Sequence, residues 1–421
     1  MRIISIFALP NIDLLCNGST ADSGPASLGS NPSRSTSLTK FLFLLMMKRL
    51  FAVMLLCFTY AAFFSIVADA QRIENTNPNK QFIPDKSNHV RNEVVIPDFA
   101  GYKVLKGDFH IHTVFSDGVV WPTYRIQEAW RDGLDILAIS DHIEYRPHSQ
   151  YINADRNTSM KIAAPEAEKL GILLVPATEV TREQGVIGHF NAIFIKDAEL
   201  MNLEDPKEAL REARRQGAFI FFNHPGWKMD TLVFSPFQKE LLEEGLIDGV
   251  EAVNGFEFYP RAISWCKDLN LTLFATSDAH DPVPVYFKYD RRGAEDVRYR
   301  PMTLVLAKDK TLEAVREALD ARRTIGSYHG YLIGMFDLLE GLFDACVSTE
   351  KLSVVGKNTN WQLRNNSSLI FRFRIGSTDY ILLPFTSCTL TRTSDITSVD
   401  VTVLNMYHYE NTHPVFKLEL K

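Results

Sequence analysis

The chain has 421 residues, 46% hydrophobic and 23% charged, the composition of a globular protein with room for a large domain and a smaller one. Its formal net charge of -6, with no clustered Lys/Arg excess, argues against a duplex nucleic-acid binder while leaving a small nucleotide open as substrate. The five cysteines, Cys16, Cys57, Cys266, Cys346 and Cys388, lack CxxC spacing, so neither a zinc finger nor a disulfide framework is predicted.

In chain order the first feature begins at Met47. Lys48 and Arg49 precede an apolar run from Leu50 to Val67, and Ala68 and Ala70 form an A-x-A site. This is the three-part form of a secretory signal peptide, with cleavage predicted after Ala70 and the mature chain periplasmic or secreted, without a stable membrane span. The alternative is an uncleaved anchor, because the run approaches bilayer-spanning length. Residues 1–46 then read as an upstream extension from a misassigned start, and 71–100, polar and rich in Asn, Pro and Lys, as a linker. After cleavage Cys266, Cys346 and Cys388 remain, so at most one pair can bridge.

From about residue 101, apolar runs of strand length alternate with helical patterns. "YKVLKGDFHIH", "LDILAISDH", "ILLVPATEV", "AFIFFNHPG", "DGVEAVNG" and "LTLFATSDAH" read as strands. "WPTYRIQEAWRDG", "APEAEKLG", "DPKEALREARRQG" and "FQKELLEEG" read as helices between them. "MTLVLA" and "TLEAVREALDARR" close the series, giving roughly seven or eight strand-helix units, about the number a closed parallel barrel requires. "HFNAIFI" follows "ATEV" after too short a link for a crossover helix, so these two strands are expected to form an antiparallel hairpin. The barrel is assigned to 101–330. From about Phe336 onward, period-two alternation rich in Thr, Ser, Val and aromatics predicts a small antiparallel β domain, assigned to 331–421.

Metal-type residues gather where the predicted strands end: His110 and His112, Asp141 and His142, Glu179, His224, Asp278 and His280. In a parallel barrel those ends share the face that carries active sites. Asp117 follows in the loop "SDG", and the hairpin would return His189 to the same face; a turn histidine is the alternative for His189. Residues two apart on a strand point the same way, so both imidazoles of "HIH" can meet one cation. So many His and carboxylate donors imply more than one divalent ion, of the Zn, Mn or Fe type, and the absence of cysteine argues against a closed structural zinc site. A carboxylate such as Glu179 can bridge two ions. That arrangement serves hydrolysis, with metal-bound hydroxide as nucleophile.

With "HIH…SDG", "SDH", "ATEV", "GHF", "NHPG" and "SDAH" in this order, the chain resembles the PHP (polymerase and histidinol phosphatase) family of metal-dependent phosphoesterases, over about Val104 to Arg323. The resemblance implies a distorted seven-stranded TIM-like α/β barrel and a di- or trinuclear centre. It implies that His110, His112, Glu179 and Asp278 hold one ion, Glu179, His189 and His224 a second, and Asp117, His142 and His280 a third. Glu179, Asp278 and His224 are the expected catalytic residues, with Asp141 orienting a histidine from behind. Arg182 and Lys228 are candidate phosphate clamps, a solvated surface charge being the alternative for each. Tyr145, Arg146 and His148 lie on a loop expected over the site.

The expected activity is metal-dependent hydrolysis of a small phosphate ester, monoester or diester. The secretory leader and the lack of a polymerase region turn it away from amino-acid biosynthesis and proofreading. The alternatives are amide or lactone hydrolysis on the same barrel, or a binding protein with a vestigial metal site.

Overall fold

The computed structural model describes residues 45–48, 90–283 and 300–421. The predicted leader from Leu50 onward and its cleavage site lie outside the described residues. Among the described residues, no helix is long and apolar enough to cross a membrane.

The largest sheet takes its order from the apolar runs. β1 (Lys103–Asp108), β2 (Ile136–Ile139) and β3 (Leu173–Thr181) are parallel neighbours. β4 (His189–Ile193) runs antiparallel to both β3 and β5 (Phe219–Phe222), and the sheet returns to parallel pairing through β6 (Gly249–Asn254) to β8 (Thr272–Thr276). β7 (Glu257–Phe258) only closes a short hairpin on β6. β2, β5 and β8 are buried along their whole length, which is why they read as continuous hydrophobic runs rather than alternating ones. The sheet curls until the extensions of β8 and β1 meet at a parallel bridge between Ile111 and Ala279.

Helices cross between the strands, and their starts are written in the sequence. Pro122 opens α1 (Pro122–Arg131) and Pro206 opens α3 (Pro206–Arg215) behind the Asp205 cap, while α2 (Thr158–Leu170) ends on left-handed Gly171. α4 (Pro236–Glu243) has a complete Ser235/Gln238 capping box. α5 (Pro260–Asp268) and α6 (Leu312–Asp320, capped by Thr311) follow.

Three expectations are corrected. "MTLVLA" forms β9 (Met302–Ala307), which pairs antiparallel to β1 and leads into β10 (Thr324–Tyr328) and β11 (Tyr331–Gly334), so the sheet is mixed rather than a closed parallel series. Residues from Phe336 begin with a helix, α7 (Phe336–Cys346), whose buried Leu339, Leu342, Phe343 and Cys346 lie three or four apart on one face. β11 belongs to the large sheet and pairs with β18 (Met406–Tyr407), so the C-terminal strands interleave with it instead of following a break at 331.

The remaining strands make two antiparallel sheets: β12 (Val347–Val355), β13 (Asn358–Asn365) and β16 (Ser387–Thr393) in one, β15 (Thr378–Leu382), β14 (Phe371–Ile375), β17 (Ser398–Val403) and β19 (Val415–Glu419) in the other. Phe343 of α7 packs against Phe371 and Phe416 at centroid separations of 5.4 and 5.5 Å. A continuous apolar cluster therefore runs from Ile126 and Leu304 to Phe371 and Phe416, and the described residues from 90 onward belong to one compact unit. Cys266, Cys346 and Cys388 are all free thiols.

Candidate metal centre

Beyond β1 the chain stays extended, and His110 and His112 bring their Nε2 atoms to 3.1 Å from each other. Both face Glu179 Oε2, at 3.4 and 3.3 Å, and Asp278 Oδ1, at 3.2 and 3.1 Å. The other oxygen of Glu179, Oε1, lies 3.0 Å from His189 Nδ1 and 3.8 Å from His224 Nε2. Asp117 Oδ1 lies 3.3 Å from His142 Nε2 and 3.2 Å from His280 Nε2. Three groups result: His110, His112 and Glu179; Glu179, His189 and His224; and Asp117, His142 and His280 with His112. All nine predicted ligands thus converge, with Asp278 between the first two groups and Glu179 shared by them. The antiparallel pairing of β4, which sets His189 opposite Thr181, puts this histidine on the common face.

These residues fit divalent cations. Glu179 Oε2, Asp278 Oδ1 and Asp117 Oδ1 are buried acceptors with no hydrogen-bond partner, yet ring nitrogens crowd round them. Such spacing matches the ligand-to-ligand edge of a coordination shell with bonds of about 2.1 Å, roughly 3.0–3.4 Å. Backing groups aim the donor atoms. His110 Nδ1 meets Glu251 Oε1 at 2.8 Å, and His280 Nδ1 meets the Asp278 carbonyl at 2.9 Å, so the Nε2 of each is left for the centre. His142 Nδ1 lies 2.5 Å from Thr181 Oγ1.

Local backbone geometry is committed to the same end. His224 and Asp278 hold φ of 24° and 48°, a left-handed conformation that costs a non-glycine residue about 1–3 kcal/mol. The Asp278 N–H donates to the His110 carbonyl at 2.9 Å, tying it to the β1 extension. Gly118 of "SDG" is required for space: a Cβ there would stand 2.8 Å from the His112 carbonyl carbon.

Charge is balanced within the cluster. Burial opposes charging of His142, yet Glu179 and Asp117 hold its imidazolium up to about 10. Burial opposes charging of His110 as well, and Asp278, Glu251 and Glu179 outweigh it to raise its pKa well above the ordinary imidazole range. His224 and His280 are shifted up in the same way. Burial likewise disfavours ionised Glu179, Asp278 and Asp117, but the surrounding histidines hold all three below the usual carboxylate range. Cations entering the site would replace these protons.

Other sequence-based assignments shift. Asp141 orients no histidine directly: it accepts from Thr113 N–H and Oγ1–H, both at 2.7 Å, and from Ser116 Oγ–H at 2.8 Å. It braces the loop leading to Asp117 and reaches His112 only through Ser116, whose Oγ is 3.4 Å from Nδ1. Arg182 is no clamp. Its guanidinium pairs with Glu144 and donates to the carbonyls of Thr181, Leu203 and Glu204. Lys228 is exposed, its Nζ 3.9 Å over the Trp227 ring. Tyr145, 55% exposed, lines the cleft, whereas Arg146 is spent on the carbonyls of Phe115 and Ala154. His148 accepts at its carbonyl from Tyr151 and Ile152 N–H and is not on the cleft wall.

The structure adds residues that the sequence did not single out. Asn223 donates to Glu179 Oε1 at 2.9 Å. Buried Arg125 donates to the carbonyls of His112, Ala279, His280 and Asp281 and to Glu128, all at 2.8–2.9 Å, pinning two ligand-bearing segments together. Glu251 stands alone in an apolar strand. For Arg125 and Glu251 the signal available was a charged residue inside a helix or strand otherwise destined for the core; Asn223, just past β5, carried no such signal. The centre opens into a cleft of about 780 Å³, walled by Trp227, Tyr145, Phe256 and Glu257.

Buried imidazoles and carboxylates gathered at the strand ends of an α/β sheet, beside an open cleft, define a metal-dependent hydrolase centre. Neither protein-family models nor curated proteins match the sequence. Among solved structures, a two-domain protein from Bacteroides vulgatus containing a predicted PHP-like metal-dependent phosphoesterase is 40% identical, with a TM-score of 0.74 over 79% of this chain and 99% of that one. The chain belongs to this family of PHP-like metal-dependent phosphoesterases. Two more distant structures, each 17% identical, are an amidohydrolase from Chromobacterium violaceum with bound sulfate and no metal (TM-score 0.32, covering 42% of this chain and 88% of that one) and a Bifidobacterium adolescentis protein described as a metal-dependent phosphoesterase (TM-score 0.33, 51% and 96%).

Proposed function

We propose that the chain hydrolyses the phosphate ester of a small phosphorylated compound at a centre of two or three divalent ions of the Zn, Mn or Fe type. The observation that carries this reading is the convergence of eight of the nine donors into three groups, two of which share Glu179, with Asp278 Oδ1 3.2 and 3.1 Å from His110 and His112. His110, His112, Glu179 and Asp278 would hold one ion, Glu179, His189 and His224 another, and Asp117, His142 and His280 a third. Ions so held supply Lewis acidity for phosphoryl oxygens and a bound water of lowered pKa.

Among the described residues, two arginines near the cleft are already paired. Arg182 is paired with Glu144, and Arg300 on the cleft wall is paired with Asp108 and Asp132. In this reading phosphate charge falls mainly to the ions, while Trp227, Tyr145 and Phe256 on the cleft wall receive the ester group. Phe256 is 75% exposed, and Tyr328 Oη–H fixes its backbone by donating to its carbonyl at 2.7 Å. The leader sequence supports export, with the mature chain starting at Gln71.

The test is hydrolysis of aryl phosphate monoesters and diesters by metal-stripped protein, before and after addition of Mn or Zn. Metal-restored turnover of either ester supports the proposal. Turnover of amides or lactones instead reassigns the reaction, and no turnover with a filled centre points to a binding protein.

A further inference from the structure

Glu251 is fully buried in β6, among apolar neighbours, and has no solvent to stabilise its charge. It is met by donors from four residues. Oε1 accepts from Thr276 Oγ1–H at 2.6 Å and faces His110 Nδ1 at 2.8 Å. Oε2 accepts from the His224 backbone N–H at 2.6 Å and from Asn254 Nδ2–H at 2.8 Å. Asn254 Nδ2 also donates to Asp278 Oδ2 at 3.2 Å.

The strand is built to allow this. Residues 251 and 254 would face opposite sides of a regular strand, since side chains alternate. The β6–β8 register shifts between Glu251 and Val253, so that Phe274 and Ala275 follow each other opposite residues two apart. The extra residue, Ala252, reverses the alternation and brings Asn254 to the same side as Glu251. Bulges of this kind re-aim side chains beside active sites.

We propose that Glu251 is the positioning residue for two of the three ion sites: it fixes the ring of His110, the backbone of His224 and, through Asn254, the carboxylate of Asp278. It touches none of Asp117, His142 and His280. The inference rests on the ligand sets given under the proposed function. An ionised carboxylate at Oε1 keeps the His110 proton on Nδ1 and the Nε2 lone pair toward the centre. At Oε2 it holds His224 in its left-handed conformation. The amide of Glu251→Gln cannot do both. With its oxygen toward His110, its NH2 faces two donors; with its NH2 toward His110, the imidazole proton is driven to Nε2, where the lone pair is lost.

The experiment loads the full chain with zinc and dialyses it against a graded chelator, counting zinc per chain. Circular dichroism and melting of the metal-free forms follow the fold. Glu251→Gln is expected to lose two ions at chelator concentrations ten- to a hundredfold below those the wild type resists, and to keep the third. His280→Ala should lose only the ion that Glu251→Gln keeps, and the double variant should hold none. Asp141→Asn, which loosens the loop carrying Asp117, should pattern with His280→Ala. Full retention by Glu251→Gln, or equal loss of all ions from a variant with an unchanged metal-free melt, overturns the inference.

If Glu251→Gln does not fold, Thr276→Val decides. It removes one donor to the same carboxylate inside a buried strand and should weaken retention of the same two ions severalfold; unchanged retention overturns the inference. Zinc is counted without substrate, so the outcomes separate: protein that holds zinc in this pattern but cleaves no phosphate ester refutes the proposed function alone.

Discussion

Replacing Arg125 by lysine keeps the charge and much of the volume but removes the geometry that joins the two halves of the centre. The guanidinium serves five acceptors: the carbonyls of His112, Ala279, His280 and Asp281, and Glu128 Oε2. An ammonium has three donors, so at least two acceptors lose their partner. Ala279 and His280 carbonyls each accept a second hydrogen bond, from His112 N–H and Val119 N–H, and are the least costly to abandon. At about 1–3 kcal/mol for each buried group left short, the loss falls toward the low end, about 2–3 kcal/mol. That is a substantial part of a typical total of about 5–15 kcal/mol. Chemical denaturation of the metal-free protein measures it, and zinc retention should fall as well, because His112 and His280 are no longer held together. A loss below about 1 kcal/mol with unchanged retention would refute the clamp role assigned to Arg125.

Glu179→Gln should abolish hydrolysis and deplete metal, whereas Arg182→Ala, removing a side chain already bound to Glu144 and three carbonyls, should leave turnover within severalfold of wild type; a larger effect of Arg182→Ala would restore it as a substrate contact. The metal-free protein should be pH-sensitive in a direction set by its histidines. A group whose pKa is raised on folding contributes stability that is complete below its unfolded value, about 6.5, and is lost as pH rises through the folded value, about 10 for His142. Melting temperature of the metal-free form should therefore decline from neutral to alkaline pH, and a flat profile would contradict the charge balance described. Zinc binding at pH 8 should release protons, seen calorimetrically as an enthalpy that changes with buffer ionisation enthalpy. Phe343→Ala, at the junction of α7 with the C-terminal sheets, should cost about 3–5 kcal/mol in denaturation.

The ligands were legible because their signals are local: a two-residue repeat in "HIH", and polar residues where apolar strand runs stop. The hairpin carrying His189 was legible from link length alone. What backs the ligands was not. Glu251, Asn223 and Arg125 act on ligand-bearing segments 13 to 156 positions away, and nothing near them in the sequence names those partners. Arg182 misled for the same reason, because the position of Glu144 across the strand end is a tertiary fact. The helix at Phe336–Cys346 was legible in principle from its three- and four-residue apolar spacing, but it sits against strongly alternating sequence that dominated the region. The direction of β9 depends on where the chain returns after α5 and β8, which periodicity does not encode.

The positions of bound ions test the metal centre most directly. Crystals of the chain from Gln71 onward, soaked in zinc or manganese and measured at the metal's absorption edge, should show anomalous peaks among His110, His112, Glu179 and Asp278, among Glu179, His189 and His224, and among Asp117, His142 and His280. Peaks confined to other parts of the surface, or fewer than two in this cluster at saturating metal, would contradict it.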